Sequence, residues 1–392
     1  MFSLITFLVS TVRLSPQAGA AADRGDIDGN ILSVSVIITK ADDVEIKPLL
    51  TASETDPWKR ELFGRLDNMR QKCGALCSIN DMDAYDRWQK SSRGTTAADT
   101  IYDSHGAETT AATRTAKVPF QVPVDCDALF RDMPEIDAGD LSMPAVPPEE
   151  LVPFYTLGGA IPLEIGKRYQ NAYLGQKALM NKWTKQDVDA RVAQARKGQL
   201  HSTYGVAKAT KIRQQMIDSS IDWNGKSVLV VGSEQPWLEA LALSVGFANV
   251  TTLEYGAIES THPQIHTMTP STFRDRYLNN TLEKFDAVLS HSSLEHSGLG
   301  RYGDALNPWG DILSLARCWC TSKPDAVLIV KRLPSCETDK VEWNAHRCYA
   351  NVRWPLVTAN WSPLVPDMNY SFVLPKGQRM RGGEFHFFRK IN

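Results

Sequence analysis

The carboxyl-terminal half of the chain predicts an α/β fold built on a doubly wound, mostly parallel sheet. Short apolar runs, such as Ser227–Val231 and Ala326–Val330, have the continuous hydrophobicity of parallel strands that are buried on both faces. Helical patterns separate these runs, and such alternation favours right-handed crossovers within one sheet. The first run ends at Gly232, which allows a close approach of the backbone to a ligand. These observations predict a Rossmann-like architecture for residues 200–392, behind an irregular, partly disordered N-terminal region.

The composition is that of an ordinary globular protein and excludes several classes. The 392 residues are 43% hydrophobic and 22% charged, with a formal net charge of −2. This balance excludes a collagen-like or wholly disordered chain. No apolar run reaches the roughly 18 residues that suggest a membrane-spanning helix, so we expect no transmembrane helix. Because the chain is not globally basic, we expect no nucleic-acid partner. The sequence does not predict an oligomeric state.

The amino terminus has features of a secretory signal sequence. Residues 1–12 form an apolar stretch of signal-peptide length, and the small-residue pattern Ala18-Gly19-Ala20 follows. A signal over residues 1–22 predicts the lumen of the ER or Golgi, or secretion. No basic side chain precedes the apolar stretch, so a cytoplasmic chain with a disordered start is the alternative. Roughly two Asn-x-Ser/Thr sequons are expected by chance. The chain has four, at Asn249, Asn279, Asn360 and Asn369.

Residues 23–90 are predicted to form a small N-terminal segment. Ile31–Thr39 alternates like a single strand, and an apolar stripe with helical spacing runs through residues 53–73. Ser53 is the expected cap of that helix. Residues 91–117 are low in complexity and are predicted to be a flexible linker.

Residues 118–199 combine proline-punctuated, irregular sequence with a basic helical part. The stretch 167–213 has eleven Lys and Arg side chains against two acids. Thr184 and Asp187 resemble a capping box, and Gly198 is expected to close the helix that follows. The basic stretch is either a solvated helix face or a surface for an anionic partner, such as a phosphorylated or sulfated glycan or a membrane.

The remaining elements follow in order along residues 200–392. Pro236 suits the first turn of a helix that continues to Gly246, and Ile312–Cys320 is predicted to be another helix. The seven cysteines include no Cys-x-x-Cys pair, and Cys318 and Cys320 are expected to be buried small hydrophobes. The further predicted strands are Asn249–Tyr255, Phe285–Ser290, Ala326–Val330 and an antiparallel edge at Met368–Leu374 and Glu384–Phe388.

Candidate ligand-binding residues lie where the predicted strands end, because doubly wound sheets bind ligands beyond the carboxyl ends of their strands. Gly232, Ser233 and Glu234 follow the first strand and precede a helix. Glu254 ends the next strand, 22 residues after Gly232. That offset is close to the one expected of a carboxylate that bonds ribose hydroxyls. Ser290 ends the strand after that.

Several segments resemble known families. Phe285–Ser290 followed by Leu294-Glu295-His296 resembles the corresponding FD-x-V-x-S and LEH segments of class I S-adenosylmethionine-dependent methyltransferases. More closely, residues 200–362 resemble Domain of Unknown Function 268, a family first catalogued in nematodes. The matching segments are Ser227–Leu243, Val250–Gly256, Ser292–Asp311 and Asn344–Tyr349.

The resemblance implies a class I methyltransferase-like fold with S-adenosylmethionine as its cofactor. The residues that would hold the cofactor are Gly232, Ser233, Glu234, Glu254 and Ser290. The first loop departs from the methyltransferase pattern, because Val230 stands at the first acidic position and only Gly232 remains of the glycine-rich loop. A structural turn that no longer binds the cofactor is therefore the alternative.

Two histidines are candidate general bases, since the reference pKa of histidine lies near neutrality. His296 lies in a glycine-rich block, where Glu295 or Asp304 could orient it. His346 belongs to a second polar cluster, which also includes Glu342, and is the rival base. The structural alternative for both is a histidine that only satisfies backbone groups. No zinc-type motif is present, so no metal site is expected.

The sequence therefore predicts transfer of a methyl group from S-adenosylmethionine to an oxygen or nitrogen of an unknown acceptor. The alternative is a catalytically degenerate domain that binds a glycan or protein partner in the secretory pathway through the basic stretch. A nucleotide-sugar enzyme is a third hypothesis, although the glycine-rich phosphate loop is missing.

Overall fold

The computed structural model describes most of the chain in eight stretches. They are residues 48–77, 120–139, 143–166, 168–170, 181–331, 338–350, 352–364 and 385–392. Four predicted features lie outside the described residues. They are the signal over 1–22, the strand Ile31–Thr39, the linker 91–117 and the strand Met368–Leu374.

Helices and strands alternate along most of the described residues. The α-helices are α1 (Pro57–Cys73), α2 (Val152–Tyr155), α3 (Lys185–Arg196), α4 (Val206–Asp218), α5 (Trp237–Val245), α6 (Pro270–Leu278), α7 (Gly310–Cys320) and α8 (Trp354–Val357). Short 3-10 or π-helical segments occupy Gly74–Leu76, Ala128–Asp132, Pro134–Asp137, Glu149–Leu151 and Leu294–His296. The strands are β1 (Leu163–Glu164), β2 (Asn181–Trp183), β3 (Ser227–Val231), β4 (Asn249–Leu253), β5 (Ile258–Ser260), β6 (Ile265–Met268), β7 (Phe285–Ser290), β8 (Ser322–Val330), β9 (Lys340–Glu342), β10 (His346–Cys348), β11 (Trp361–Pro363) and β12 (His386–Lys390).

A seven-stranded sheet with the order β11-β12-β8-β7-β3-β4-β6 organises the fold. Neighbours from β8 to β6 are parallel, whereas β12 runs antiparallel to both β8 and β11. The chain starts in the middle at β3, moves outward through β4 and β6, and then returns to β7 on the other side. This reversal creates a topological switch point between β3 and β7, where ligands of such sheets bind. The predicted doubly wound, mostly parallel sheet is confirmed.

Both faces of β3 are buried, as its continuous apolar sequence predicts. Val228 and Val230 pack into one hydrophobic cluster with residues of α3, α4 and α5. Leu229 and Val231 join a second cluster, to which α1, α6 and α7 contribute. Successive side chains of a strand point to opposite faces, so the sheet separates the two clusters. Each fully buried side chain of this kind contributes about 1.5–3 kcal/mol relative to an exposed one.

The N-terminal stretches pack against the second face of the sheet. Leu62 and Phe130 belong to the same hydrophobic cluster as Leu229. Arg317 on α7 donates from Nε and NH2 to the Leu129 carbonyl oxygen, at 3.0 and 2.7 Å, and its NH1 donates to Asp137 at 2.5 Å. These bonds join α7 to the segment that precedes the α/β part. The predicted boundary at residue 200 stays a prediction.

Some predicted element boundaries differ from those observed. The cap of α1 is Asp56, whose Oδ1 accepts the Trp58 N–H at 2.9 Å, so the prediction of Ser53 was wrong. The cap prediction for α3 is confirmed, because Thr184 accepts the Asp187 N–H at 3.1 Å. The predicted strand at Asn249–Tyr255 is shorter, since β4 ends at Leu253. Glu254 lies just beyond the strand and accepts a hydrogen bond from the loop after β3.

The cysteines form covalent links that the sequence did not predict. Disulfides join Cys73 to Cys77 and Cys126 to Cys320. Cys318 is a buried free thiol, and burial raises its pKa to about 12. Cys320 is buried as expected, but as half of a disulfide. Among the described residues, no helix is both long enough and apolar enough to span a membrane.

Candidate functional site

The loop that follows β3 lies at the centre of the candidate site. Gly232 has a left-handed backbone, with φ of +73°, and donates its N–H to the Leu253 carbonyl oxygen at 2.9 Å. A Cβ atom at this position would overlap the side chain of Ser293, which follows β7. Both the backbone and the available space therefore require glycine here. The approach of Ser293 to Gly232 has no signal in the sequence pattern.

Ser233 and Glu254, both predicted to hold the cofactor, are in direct contact. The Ser233 N–H donates to Glu254 Oε2 at 3.0 Å, and the Tyr255 N–H donates to Oε1 at 2.8 Å. The carboxylate thus joins the end of β4 to the loop after β3. Each carboxylate oxygen can accept a second hydrogen bond. The carboxylate therefore keeps acceptor capacity for a ligand hydroxyl.

Glu239 is a buried carboxyl group near this loop that the sequence analysis did not single out. It lies in the first turn of α5 and is fully buried. Thr252 Oγ1 donates to its Oε1 at 2.7 Å, and Ser233 Oγ lies 3.1 Å from its Oε2. Ser233 has one hydroxyl proton, which it donates to the Gln235 carbonyl oxygen at 2.8 Å. A protonated Glu239 that donates to Ser233 satisfies both of these contacts.

Glu239 and Glu254, the two carboxyl groups that contact Ser233, have raised pKa values. Burial raises the pKa of Glu239 to about 7, and the nearby Glu254 acts in the same direction. Burial also raises the pKa of Glu254 to about 7, and the negative charge of the exposed Glu234 adds to the shift. Hydrogen bonds from Ser233 and Tyr255 favour ionised Glu254 but do not offset burial. Both carboxyl groups are therefore poised to titrate near neutral pH.

Ser290, the last of the predicted cofactor residues, is buried at the end of β7. Its hydroxyl donates to the Val231 carbonyl oxygen at 3.2 Å, and the two residues are paired in register. The side chain therefore ties β7 to β3 inside the sheet. Glu234 lies on the exposed part of the loop and contacts no other predicted cofactor residue through a described hydrogen bond.

The two candidate bases, His296 and His346, lie side by side. Their ring centroids are 6.4 Å apart, and the ring planes are nearly perpendicular at 88°. Each Nε2 faces a carboxylate, at 3.9 Å from Glu295 Oε1 for His296 and at 3.8 Å from Glu342 Oε2 for His346. The three-stranded sheet β1-β9-β10 positions His346, because His346 lies on β10 and pairs in register with Glu342 on β9. Two rival bases in the sequence thus belong to one histidine pair.

One hydrogen bond fixes the tautomer of His296. Its Nδ1 lies 2.5 Å from the Ala345 carbonyl oxygen, which can only accept, so Nδ1 carries the proton. Nε2 then holds the lone pair that a general base requires. Glu295 Oε1 is buried and has no hydrogen-bond partner within the described parts of the chain. A water placed within reach of Nε2 and Oε1 would donate one proton to each atom.

Burial lowers the pKa of His346. The charges of His296 and Arg168 act in the same direction, against the opposing effect of Glu342. His346 is therefore neutral at neutral pH. Among the residues that the structure describes, no group of three His, Cys, Asp or Glu side chains could hold a metal ion.

Asp304 organises the loop around His296 through backbone contacts. Its Oδ2 accepts the N–H groups of Gly298 at 2.5 Å and Gly300 at 3.3 Å, and its Oδ1 accepts the Tyr302 N–H at 3.2 Å. The carboxyl group is buried, and burial raises its pKa. Both oxygens are thus engaged by the glycine-rich block. The geometry gives Asp304 a role in shaping the loop, and Glu295 is the carboxylate that faces His296.

A buried ion network holds this loop against the segment that bears His346. Asp311 accepts from Arg353 Nε at 2.8 Å and NH2 at 2.6 Å, and from the Tyr349 hydroxyl at 3.0 Å. Arg347 NH1 donates to the Ser297 carbonyl oxygen. The two arginines hold the pKa of Asp311 below its usual range. This network fixes the position of the segment that bears His296 relative to the segment that bears His346.

Tyr204 and His291 form a further feature that the sequence analysis missed. His291 follows β7 directly, is buried, and packs its ring 4.5 Å from that of Tyr204 and 5.1 Å from that of Trp237. Burial lowers the pKa of His291 to about 3. Burial raises the pKa of Tyr204, and the charges of Glu295 and Glu234 act in the same direction, against the hydrogen bond with the Ser292 side chain. Tyr204 and Trp237 thus pack against His291 beside the start of α5.

The sheet order and the polar strand ends define a class I methyltransferase-like α/β fold. Within it, residues 225–365 match the family described as Caenorhabditis protein of unknown function, DUF268. The match spans just over a third of the chain and confirms the resemblance expected from the sequence. No curated protein matches the chain.

The solved structures that this chain matches share little sequence with it. A 1,6-didemethyltoxoflavin-N1-methyltransferase of Burkholderia thailandensis, with S-adenosylhomocysteine bound, is 14% identical, with 52% of this chain and 87% of that chain covered and a TM-score of 0.32. A provisionally named S-adenosylmethionine-dependent methyltransferase of Listeria monocytogenes is 15% identical, with 47% and 99% covered and a TM-score of 0.30. A provisionally named hemolysin of Lactococcus lactis is 14% identical, with 32% of this chain covered and a TM-score of 0.25. The chain spans 57% of the length of that last protein.

Proposed function

We propose that this chain binds S-adenosylmethionine and transfers its methyl group to an oxygen or nitrogen of an acceptor. The contact between Ser233 and Glu254 carries the proposal, because it joins the ends of two neighbouring strands beside the switch point. A carboxylate at the second strand end is the group expected to accept hydrogen bonds from ribose hydroxyls. Glu254 keeps lone pairs for that purpose after its two backbone bonds.

The residues present fit such a cofactor in its polar requirements. Gly232 has the left-handed backbone that the turn after β3 needs, and Glu254 directly follows β4, where a ribose acceptor is expected. S-adenosylmethionine would supply an electrophilic methyl group. The protein then has to align the acceptor with that group, and alignment supplies most of the rate in such a displacement.

We propose that His296 is the general base that deprotonates the acceptor. Its Nε2 lone pair would take the proton from an acceptor hydroxyl or amine while the new bond to carbon forms. Glu295, whose Oε1 lies 3.9 Å from Nε2, would stabilise the imidazolium that results. His346 contributes a neutral imidazole beside it.

Substitution of Glu254 tests the cofactor site. We expect Glu254→Ala to weaken binding of S-adenosylhomocysteine to the full chain by tenfold or more, since a charge-assisted hydrogen bond contributes about 1.5–3 kcal/mol. Glu259→Ala is the matched control, because Glu259 is an exposed glutamate on β5 that pairs with Lys182 at 3.1 Å. Calorimetric titration measures both. Equal affinities in the two variants would contradict the assignment of Glu254.

We place this activity in the secretory lumen. The disulfides Cys73–Cys77 and Cys126–Cys320 support that location, because such bonds persist in oxidising compartments and are rare in the cytosol. The apolar stretch at residues 1–12 agrees with it. An anionic or glycan acceptor would suit the basic stretch 167–213, of which residues 168–170 and 181–213 are described.

One observation favours a second candidate, a degenerate domain that binds a partner without methyl transfer. The side chain of Ser293 fills the space above Gly232, where a cofactor would otherwise approach the backbone. In that case the histidine pair and the basic stretch would serve binding alone. Absence of S-adenosylhomocysteine binding to the folded wild-type chain separates this candidate from the first.

A further inference from the structure

The sequons of the chain differ in their surroundings, and one of them is buried and structural. The Asn360 side chain is 7% exposed, its Nδ2 donates to the Val122 carbonyl oxygen, and its Oδ1 accepts the Val122 N–H, both at 2.9 Å. Its amide thus completes a backbone-like pairing between two segments. A glycan on that nitrogen is incompatible with this fold. Asn369 lies outside the described residues.

A second sequon begins β4 and is only half accessible. Asn249 is exposed at the start of the strand, but Thr251, the hydroxyl residue of the same sequon, is buried between neighbouring strands. Thr251 pairs in register with Leu229 on one side and with His266 on the other. The three residues of this sequon are thus fixed within the sheet.

The third sequon, Asn279-Asn280-Thr281, differs in having both of its functional side chains exposed. Asn279 is the C-cap of α6, and Asn280 has a left-handed backbone with φ of +54°. The Thr281 N–H donates to the Arg276 carbonyl oxygen at 2.9 Å, so the sequon forms a turn that projects from the helix end. A cavity of about 420 Å³ borders Asn280, which leaves open space beside the turn.

We propose that Asn279 carries an N-linked oligosaccharide. This inference rests on the secretory location proposed above. In the reaction, the Asn279 side-chain nitrogen bonds to the anomeric carbon of a lipid-diphosphate-linked oligosaccharide. The bond from that carbon to the diphosphate oxygen breaks, the amide loses one proton, and the lipid diphosphate leaves. Exposed Asn-x-Ser/Thr turns of secreted proteins are the acceptors of such glycans.

The position of Asn279 agrees with retention of the candidate site. α6 ends before β7 begins, so Asn279 lies toward the amino edge of the sheet, whereas Ser233, Glu254 and His296 follow the carboxyl ends of their strands. A glycan at Asn279 would therefore leave the candidate site open. We expect it to cover the opposite edge, beside the cavity that Tyr277 and Asn280 line.

The full chain, produced in cultured eukaryotic cells, tests the proposal. Treatment with an amide-cleaving N-glycosidase should lower the mass of the wild-type chain. Asn279→Gln and Thr281→Val should each reduce that shift by one glycan, because each destroys the sequon by a different residue. Asn280→Gln and Thr281→Ser retain the sequon and should keep the shift, so a loss caused by misfolding alone would be recognised.

Two results would overturn the proposal. One is a wild-type chain whose mass does not change on glycosidase treatment, and the other is a mass shift in Asn279→Gln that equals the shift of the wild type. Counting alkylatable thiols in the same samples separates the glycan from the location. An oxidised chain without a glycan would contradict Asn279 as an acceptor alone, whereas a fully reduced chain without a glycan would contradict the secretory location as well.

Discussion

Glu239 shows at the scale of one residue how the fold controls the candidate site. Its carboxyl group is fully buried against Ser233 and Thr252, and burial raises its pKa to about 7 from 4.5. The folded state therefore binds more protons than the unfolded state between these two pH values. Protonation of Glu239 therefore adds to the free energy of unfolding. This contribution is complete below pH 4.5 and is lost as the pH rises through 7.

We expect Glu239→Gln to remove this pH dependence. A shift of this size corresponds to roughly 3 kcal/mol of unfolding free energy between pH 4.5 and pH 8. Urea unfolding at several pH values should thus give a flatter profile for Glu239→Gln than for the wild type. Glu259→Gln, an exposed substitution on β5, should reproduce the wild-type profile. Parallel profiles for the wild type and Glu239→Gln would contradict protonation of Glu239 in the fold.

At the scale of elements, the loop bearing His296 is held by the buried carboxylate of Asp311. It sits at the start of α7 and receives hydrogen bonds from Arg353 and Tyr349. Asp311→Asn would leave buried guanidinium groups without a counter-charge, so we expect a loss of about 3–5 kcal/mol in unfolding free energy. Chemical denaturation measures it, with Asp218→Asn on the exposed end of α4 as the control. A loss below about 1 kcal/mol would contradict the network's role.

The sequence predicts elements well where one local signal suffices. The apolar run of β3 and the Thr184 cap of α3 are local patterns, and the structure confirms both. The position of Glu254 is also predicted by a local pattern, because the apolar strand before it and its offset from Gly232 lie within one short stretch of sequence. Ser53 failed as a cap because Asp56, next to Pro57, offers its carboxylate to the first free N–H groups.

Contacts between distant segments had no such signal. Ser293 approaches Gly232 only because β7 lies beside β3 in the sheet. His296 and His346 meet because a small separate sheet returns the chain to the same edge. Glu239 lies in an otherwise apolar helical pattern, where a buried carboxyl group cannot be told from an exposed one.

At the scale of the whole molecule, the Cys126–Cys320 disulfide links the N-terminal stretch to α7 across 194 residues. Loss of a long crosslink raises the entropy of the unfolded chain. The corresponding loss in unfolding free energy is about 5 kcal/mol for this loop and about 2 kcal/mol for a loop of a few residues. Cys126→Ser with Cys320→Ser should thus destabilise the protein more than Cys73→Ser with Cys77→Ser, a pair four residues apart. Calorimetric melting compares them, and equal melting temperatures would contradict this anchoring role.

The central claim is that the switch point between β3 and β7 binds S-adenosylmethionine. Titration of the folded wild-type chain with S-adenosylmethionine and S-adenosylhomocysteine tests it most directly. Our account predicts saturable binding of both at one site per chain, with micromolar dissociation constants. A folded chain that binds neither ligand would contradict methyl transfer and leave a partner-binding domain on a methyltransferase-like fold.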